Sequence, residues 1–121
     1  MRLYSSLGFV VVAALSFAAC SKSETDPATF CPALMANAQM VAGTLANEEI
    51  KGHDQATVEK LADSTDKLAG TSPSALRSSV RIEAAAYHKW AQTGDMHAVS
   101  QNGDFAAAAY KVKAWARKHC E

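Results

Sequence analysis

Residues 103–121 read GDFAAAAYKVKAWARKHCE, and this closing stretch decides the fold. Phe105, Ala108, Ala109, Val112, Trp115 and Ala116 recur at steps of three and four, which puts them on one face of a helix running to about His119. Asn102 or Asp104 can cap its start. The run Ala106–Ala109 combines high helix propensity with little bulk, so a neighbouring helix can come close. Lys111, Lys113, Arg117 and Lys118 load the C-terminal half with positive charge, which is favourable against the helix dipole. The stretch then delivers Cys120, whose natural partner, Cys31, stands at the opening of the first periodic segment.

The case for that pair rests on the other end of the chain. Met1–Ala19 has the form of a signal peptide: Arg2 supplies the positive charge, and Leu7 to Ala19 is a nearly unbroken apolar run ending in small residues. The run is short against the roughly 20 residues of a membrane span. Leu15-Ser16-Phe17-Ala18-Ala19-Cys20 resembles the lipobox of bacterial lipoproteins, in which the cysteine is lipidated and becomes the mature N-terminus; Phe17 departs from the aliphatic residue preferred at its position. The competing reading is ordinary cleavage after Ala18, with Ser16 and Ala18 as the small pair. Three cysteines in an exported chain leave one over when two pair, and lipidation of Cys20 removes the odd one. Export also makes an oxidised Cys31–Cys120 pair reasonable. Ser21 to Asp26 is polar and aperiodic, a short tether. The expected organisation is therefore a signal peptide over 1–19, the lipidated cysteine and tether over 20–28, and a helical domain over 29–121.

Three further helices precede the last one. The third has the clearest start signal, with Ser72 as N-cap and Pro73 at the first helical position, and is expected to reach about Gln92 before Gly94. Leu76, Val80, Ala84, Tyr87 and Ala91 form one stripe, while Ile82, Ala86 and Trp90 lie on another side, so it should meet neighbours on two faces. The second is expected over Asp54 to Ala69, capped by Asp54 and stopped by Gly70. Its thin stripe of Val58, Leu61, Thr65 and Leu68 marks it as the most loosely held. The first is expected from Thr29, as cap, to about Asn47, with Pro32 tolerable only in the first turn. Cys31, Leu34, Met35, Ala38, Val41, Ala42 and Leu45 fall at three- and four-residue steps and make one apolar stripe. Thr93 to Gly103 reads as a loop with one short helical turn around Met96–Ser100. Nothing reads as strand.

The clasp fixes the architecture. Short connections make successive helices antiparallel. The start of the first and the end of the last meet only when the number of long helices is even, and a disulfide needs Cα atoms about 4.4–6.8 Å apart. The fold expected is thus all-α, a four-helix up-down-up-down bundle closed by Cys31–Cys120, which an extra short helix in the loop does not disturb.

Little in the chain speaks of chemistry. Twelve basic residues balance twelve acidic ones, so bulk nucleic-acid binding is not indicated. The halves differ: acids prevail between Cys20 and Leu76, bases after it. No HExxH, CxxC, phosphate-binding glycine loop or nucleophile elbow is present. No metal site is assigned; His88, His97 and Met96 are weak candidates for a metal or haem carrier, and Tyr87-His88 point about 100° apart on a helix, so they do not share one ligand. Glu83 and Tyr87, one turn apart, form a possible hydrogen-bonded pair. His53 and His119 read as surface or half-buried polar groups, and Trp90 and Trp115 as core or groove aromatics. An enzyme would require at least two of Glu83, His53, His88 and His97 to converge in a pocket.

The Ala18-Ala19-Cys20 signal end, Phe30-Cys31, Ser72-Pro73 with Leu76, Trp115 and the terminal Cys120 together resemble the small, uncharacterised helical lipoproteins exported by actinobacteria. The resemblance implies a disulfide-closed helical bundle on the cell surface and brings no catalytic residue and no cofactor. The expected function is a non-enzymatic domain, exported and held at the extracytoplasmic face of the cell membrane by its lipid anchor. It would bind a protein or small-molecule partner through a helical face or groove.

Overall fold

A computed structural model describes residues 24–120. The signal segment, Cys20 and the first residues of the tether lie outside the described residues. Five helices follow: α1 (Pro27–Lys51), α2 (Gln55–Thr71), α3 (Ser74–Thr93), α4 (Met96–Ser100) and α5 (Gly103–His119). No strand occurs among the described residues. Cys31 and Cys120 form a disulfide with Cα atoms 5.6 Å apart.

Several helix ends differ from the sequence expectation, each for a local reason. α1 begins two residues before Thr29 because Asp26, not Thr29, caps it: the Asp26 carboxylate accepts from the Ala28 amide at 3.0 Å. Pro32 consequently sits inside the helix, not in its first turn, and leaves the Ala28 carbonyl without its usual amide donor. α1 also continues past Asn47 to Lys51, where Gly52 ends it at φ 83°. Asp54 caps α2 as expected, accepting from the Ala56 amide at 3.2 Å and the Thr57 hydroxyl at 2.8 Å.

Gly70 does not stop α2, which runs on to Thr71. Ser72, expected to open the next helix, instead closes this one by donating its hydroxyl to the Leu68 carbonyl at 2.6 Å. Pro73 is then the N-cap of α3 and offers no side-chain acceptor. That role passes to Glu24, whose carboxylate accepts from the Ser74 amide at 2.7 Å. A carboxylate at a helix N-terminus also meets the positive end of the dipole. α4 is the short turn anticipated at Met96–Ser100, capped by Asp95, and Asn102 caps α5 with bonds from Asp104 and Phe105.

Packing reverses the expected order of the helices. α2, read as the most loosely held, is firmly embedded: Val58, Leu61 and Ala62 are fully buried, Thr65 nearly so, and the helix lies along α3 for most of its length. A thin stripe suffices because α3 covers it completely. α1 is the loose element. It carries no charged residue from Pro27 to Asn47, so its apolar periodicity does not select a face. Met35, placed in the expected stripe, is 59% exposed, and Ala38, Ala42 and Leu45 are also exposed. The face that packs is shifted, running through Phe30, Leu34, Asn37, Val41, Thr44 and Glu48. α1 lies chiefly on α2 and meets α5 only narrowly.

The core divides into two clusters. Phe30, Leu68, Leu76, Val80 and Val112, with Leu34 and Trp115 against them, fill the end that holds the disulfide. Val58, Leu61, Tyr87, Trp90 and Val99, with Val41 and Phe105, fill the other. Small and polar groups lie between them in sequence. Buried Thr65 accepts from the Asn37 amide at 3.0 Å and donates to the Leu61 carbonyl at 2.8 Å. No buried side-chain nitrogen or oxygen among the described residues lacks a partner, as a stable interior requires.

Candidate functional site

The end opposite the disulfide is built around Trp90, which is almost fully buried. Its indole N–H donates to Glu48 Oε1 at 3.2 Å. The same carboxylate lies 3.1 Å from His53 Nδ1, and His53 Nε2 donates to the Ala91 carbonyl at 3.1 Å. Glu48 thereby ties the last turn of α1 to α3 through both an indole and an imidazole. Gly94 permits this. Its left-handed φ of 71° ends α3, and a Cβ there would stand 3.2 Å from the His53 ring. The sequence reading took Glu48 as part of the helix exit; the signal it missed is that an acidic side chain in the last turn, disfavoured by the dipole, is held there by buried donors.

Next to this network is an apolar cavity of about 290 Å³. Val41 and Leu45 of α1 form one wall and Tyr87 and Trp90 of α3 another; α4 roofs it with Met96 and Val99, and Phe105 closes the α5 side. The aromatic rings interlock: Tyr87 meets Phe105 edge-on with centroids 5.6 Å apart, and Trp90 at 6.4 Å. Leu45 and Met96, 40% and 38% exposed, stand at the solvent side. Trp90, expected as a core or groove aromatic, is both. A second recess, about 300 Å³, lies between α1 and α2 against Ala33, Asn37, Met40 and Lys67; it is more open and has no aromatic wall.

The candidate metal and haem residues do not come together. Met96 faces the cavity, whereas His97 and His88 lie elsewhere, His97 exposed on α4 and His88 on the α2–α3 face. Asp95 is occupied as the cap of α4. Among the described residues His53 and His88 have separate partners, and neither bonds Glu83 or His97. His119 stacks beside half-buried Trp115 with centroids 4.6 Å apart, and Trp115 packs edge-on against Phe30 at 5.5 Å. That interaction covers the disulfide end and is structural.

Glu83 and Tyr87 interact by charge, without a hydrogen bond between them. Burial raises the Glu83 carboxyl to about 7, and burial together with the Glu83 charge raises the Tyr87 phenol. His88 is also raised, first through its hydrogen bond to Asp66 and further through the charge of Asp66 and the hydrogen bond and charge of Glu59, which together outweigh the lowering effect of burial.

No protein-family model, curated protein or solved structure matches the chain.

Proposed function

We propose that this chain is an exported, lipid-anchored domain of the cell envelope. Its four long helices would run up, down, up and down and hold a small apolar molecule at the end away from the membrane. It would act as a binding module and not as an enzyme. The apolar cavity beneath α4 carries this reading. Its size falls at the lower edge of the roughly 300–1,000 Å³ of ligand pockets, and its walls are aromatic and aliphatic with Ser100 as the main polar neighbour. That chemistry favours a compact, uncharged aromatic or aliphatic molecule of up to about three rings over a charged solute. A cavity of this volume suits a small molecule better than a protein partner.

The arrangement of the two ends supports the anchored orientation. Glu24 binds the start of α3 beside the Cys31–Cys120 end, so the segment leading back to Cys20 departs from there. The exposed Lys111, Lys113, Arg117 and Lys118 occupy the C-terminal half of α5, which finishes at that same end. Basic groups there suit an anionic bilayer surface, about 1 kcal/mol per residue when close to it. The likeness to actinobacterial lipoproteins is part of the same proposal. Metabolic labelling with palmitate is expected to mark the wild-type chain and not Cys20→Ser. An unlabelled wild type would point to ordinary cleavage after Ala18.

Ligand binding is tested with N-phenyl-1-naphthylamine, a neutral fluorophore that brightens in apolar surroundings. Saturable binding is expected, with energy transfer from Trp90. Val41→Trp, which fills the cavity, and Leu45→Asp, which charges its solvent side, should each weaken binding at least tenfold while helical circular dichroism is kept. Unchanged affinity in both variants, or no saturable binding at all, would overturn the assignment.

A further inference from the structure

A separate cluster lies where α2 meets α3. Glu59, Asp63 and Asp66 stand at successive turns of α2, one face of the helix. His88 reaches across from α3. Its Nδ1 is 2.9 Å from Glu59 Oε1 and its Nε2 is 2.6 Å from Asp66 Oδ2. One ligand atom each from Glu59, Asp63 and His88 lie within 4.8 Å of one another. We propose that Glu59, Asp63 and His88 bind a divalent transition-metal ion of the zinc or cobalt type, with Asp66 as the residue that positions the imidazole.

Three features set this cluster apart from a chance group of surface acids. First, it spans two helices, α2 and α3, whose mutual contact is the most extensive among the described helices, so its backbone positions are fixed by the core beneath: Leu61, Ala62 and Thr65 on one side, Ala84, Tyr87 and Ala91 on the other. Second, the donor set is mixed. An imidazole with two carboxylates suits borderline cations, whereas calcium and magnesium favour all-oxygen cages. Third, the histidine has the outer partner that metal-bound histidines have. Asp66 accepts the Nε2 hydrogen, so once the other ring proton leaves, Nδ1, on the Glu59 side, is the donor atom. In the absence of metal, Nδ1 carries a hydrogen toward Glu59, and the ion would take that hydrogen's place, releasing it to solvent.

The distances allow closure. A tetrahedral ion with ligands at about 2.1 Å holds them roughly 3.4 Å apart. The present spread of up to 4.8 Å is closed by rotamer adjustment of Asp63, which is exposed and makes no hydrogen bond among those described. His88 is 30% exposed and Glu59 39%, so an ion can enter, and a fourth position faces water. The cluster shares no residue with the apolar cavity, so either site can fail without the other.

Titration of the whole chain at pH 7.5 with Zn²⁺ by calorimetry, and with Co²⁺ by visible absorption, tests the proposal. One ion per chain is expected, with Kd in the micromolar range, and Co²⁺ should show the intense visible bands of a four-coordinate N/O site. Asp63→Asn and His88→Ala should each weaken binding at least tenfold. Asp66→Asn should weaken it about 10- to 100-fold, because the amide no longer accepts the Nε2 hydrogen as a carboxylate does. His53→Ala and His97→Ala should leave it unchanged. Asp63 makes no hydrogen bond or ion pair among the described residues, so Asp63→Asn keeps the fold and remains decisive should His88→Ala unfold. Absence of binding, affinity unaffected by Asp63→Asn, or equal binding of Ca²⁺ and Zn²⁺ would overturn the assignment.

Discussion

Replacing Cys31 and Cys120 together with serine is expected to cost about 4–5 kcal/mol of folding stability and to lower Tm by roughly 20 °C or more. The bridge spans a sequence separation of 89 residues, close to the whole folded part of the chain. Loop-closure entropy removed from the unfolded chain grows with that length. The net stability of a small domain is only about 5–15 kcal/mol, so the clasp supplies a large share. The packing sharpens the expectation. α1 buries only Phe30 and Thr44 fully and meets α5 narrowly, so without the bridge it has little to hold it beyond α2 and the Glu48 network. Hydrogen exchange should therefore quicken first in α1, with α2 and α3 still protected. Melting of the reduced or doubly substituted chain within a few degrees of the oxidised one would mean that packing alone closes the domain.

The disulfide was legible because three independent signals agreed: an exported chain, an odd cysteine claimed by the lipobox-like segment, and helical periodicity ending at Cys120. The face of α1 was not legible, and the reason is physical. Where no charged residue breaks the pattern, alanine, methionine and leucine at many positions satisfy more than one stripe, and tertiary packing chooses among them. α2 shows the converse. Glu59, Lys60, Asp63, Asp66 and Lys67 leave only one narrow apolar face, and all four residues assigned to it, Val58, Leu61, Thr65 and Leu68, are buried. A polar helix was thus read correctly in register and wrongly in strength, because the depth of burial is set by α3, which covers it. Ser72 illustrates a third kind of miss. A serine before a proline satisfies the rule for a helix start, yet the same hydroxyl also reaches the last free carbonyls of the preceding helix, and that use prevails. Of the two candidate sites, the cavity required knowing that α4 folds back over α3. The histidine cluster required pairing His88 with three carboxylates more than twenty residues away, a separation that carries no local periodicity.

Glu83→Gln is expected to flatten the pH dependence of stability, raising stability by up to about 3 kcal/mol at pH 8 and leaving it unchanged near pH 4. The direction follows from burial. The folded carboxyl titrates at about 7 against 4.5 in the unfolded chain. Between these values the folded state holds a proton that the unfolded state has lost. Glu83 therefore favours folding fully below about pH 4.5, progressively less as pH rises, and least above about pH 7, where the buried group must ionise. This is opposite to an ordinary surface-paired carboxylate. Asp54 supplies the contrast: its bonds from the Thr57 hydroxyl and backbone hold it below its usual value, so its contribution is present at neutral pH and is lost on acidification through its folded value. His88 falls in the same direction as Glu83, contributing below about pH 6.5 and losing that contribution as pH rises through its raised folded value. Measurements in chelator, comparing wild type, Glu83→Gln and His88→Ala, separate the two. Glutamine keeps the shape and an amide that tolerates burial, so the wild-type loss of stability between pH 4.5 and 7 should disappear in Glu83→Gln alone. Parallel pH profiles for wild type and Glu83→Gln over that interval would show that water reaches the carboxylate freely. Such access would keep Glu83 ionised at neutral pH, with water screening its charge from Tyr87 at the wall of the cavity.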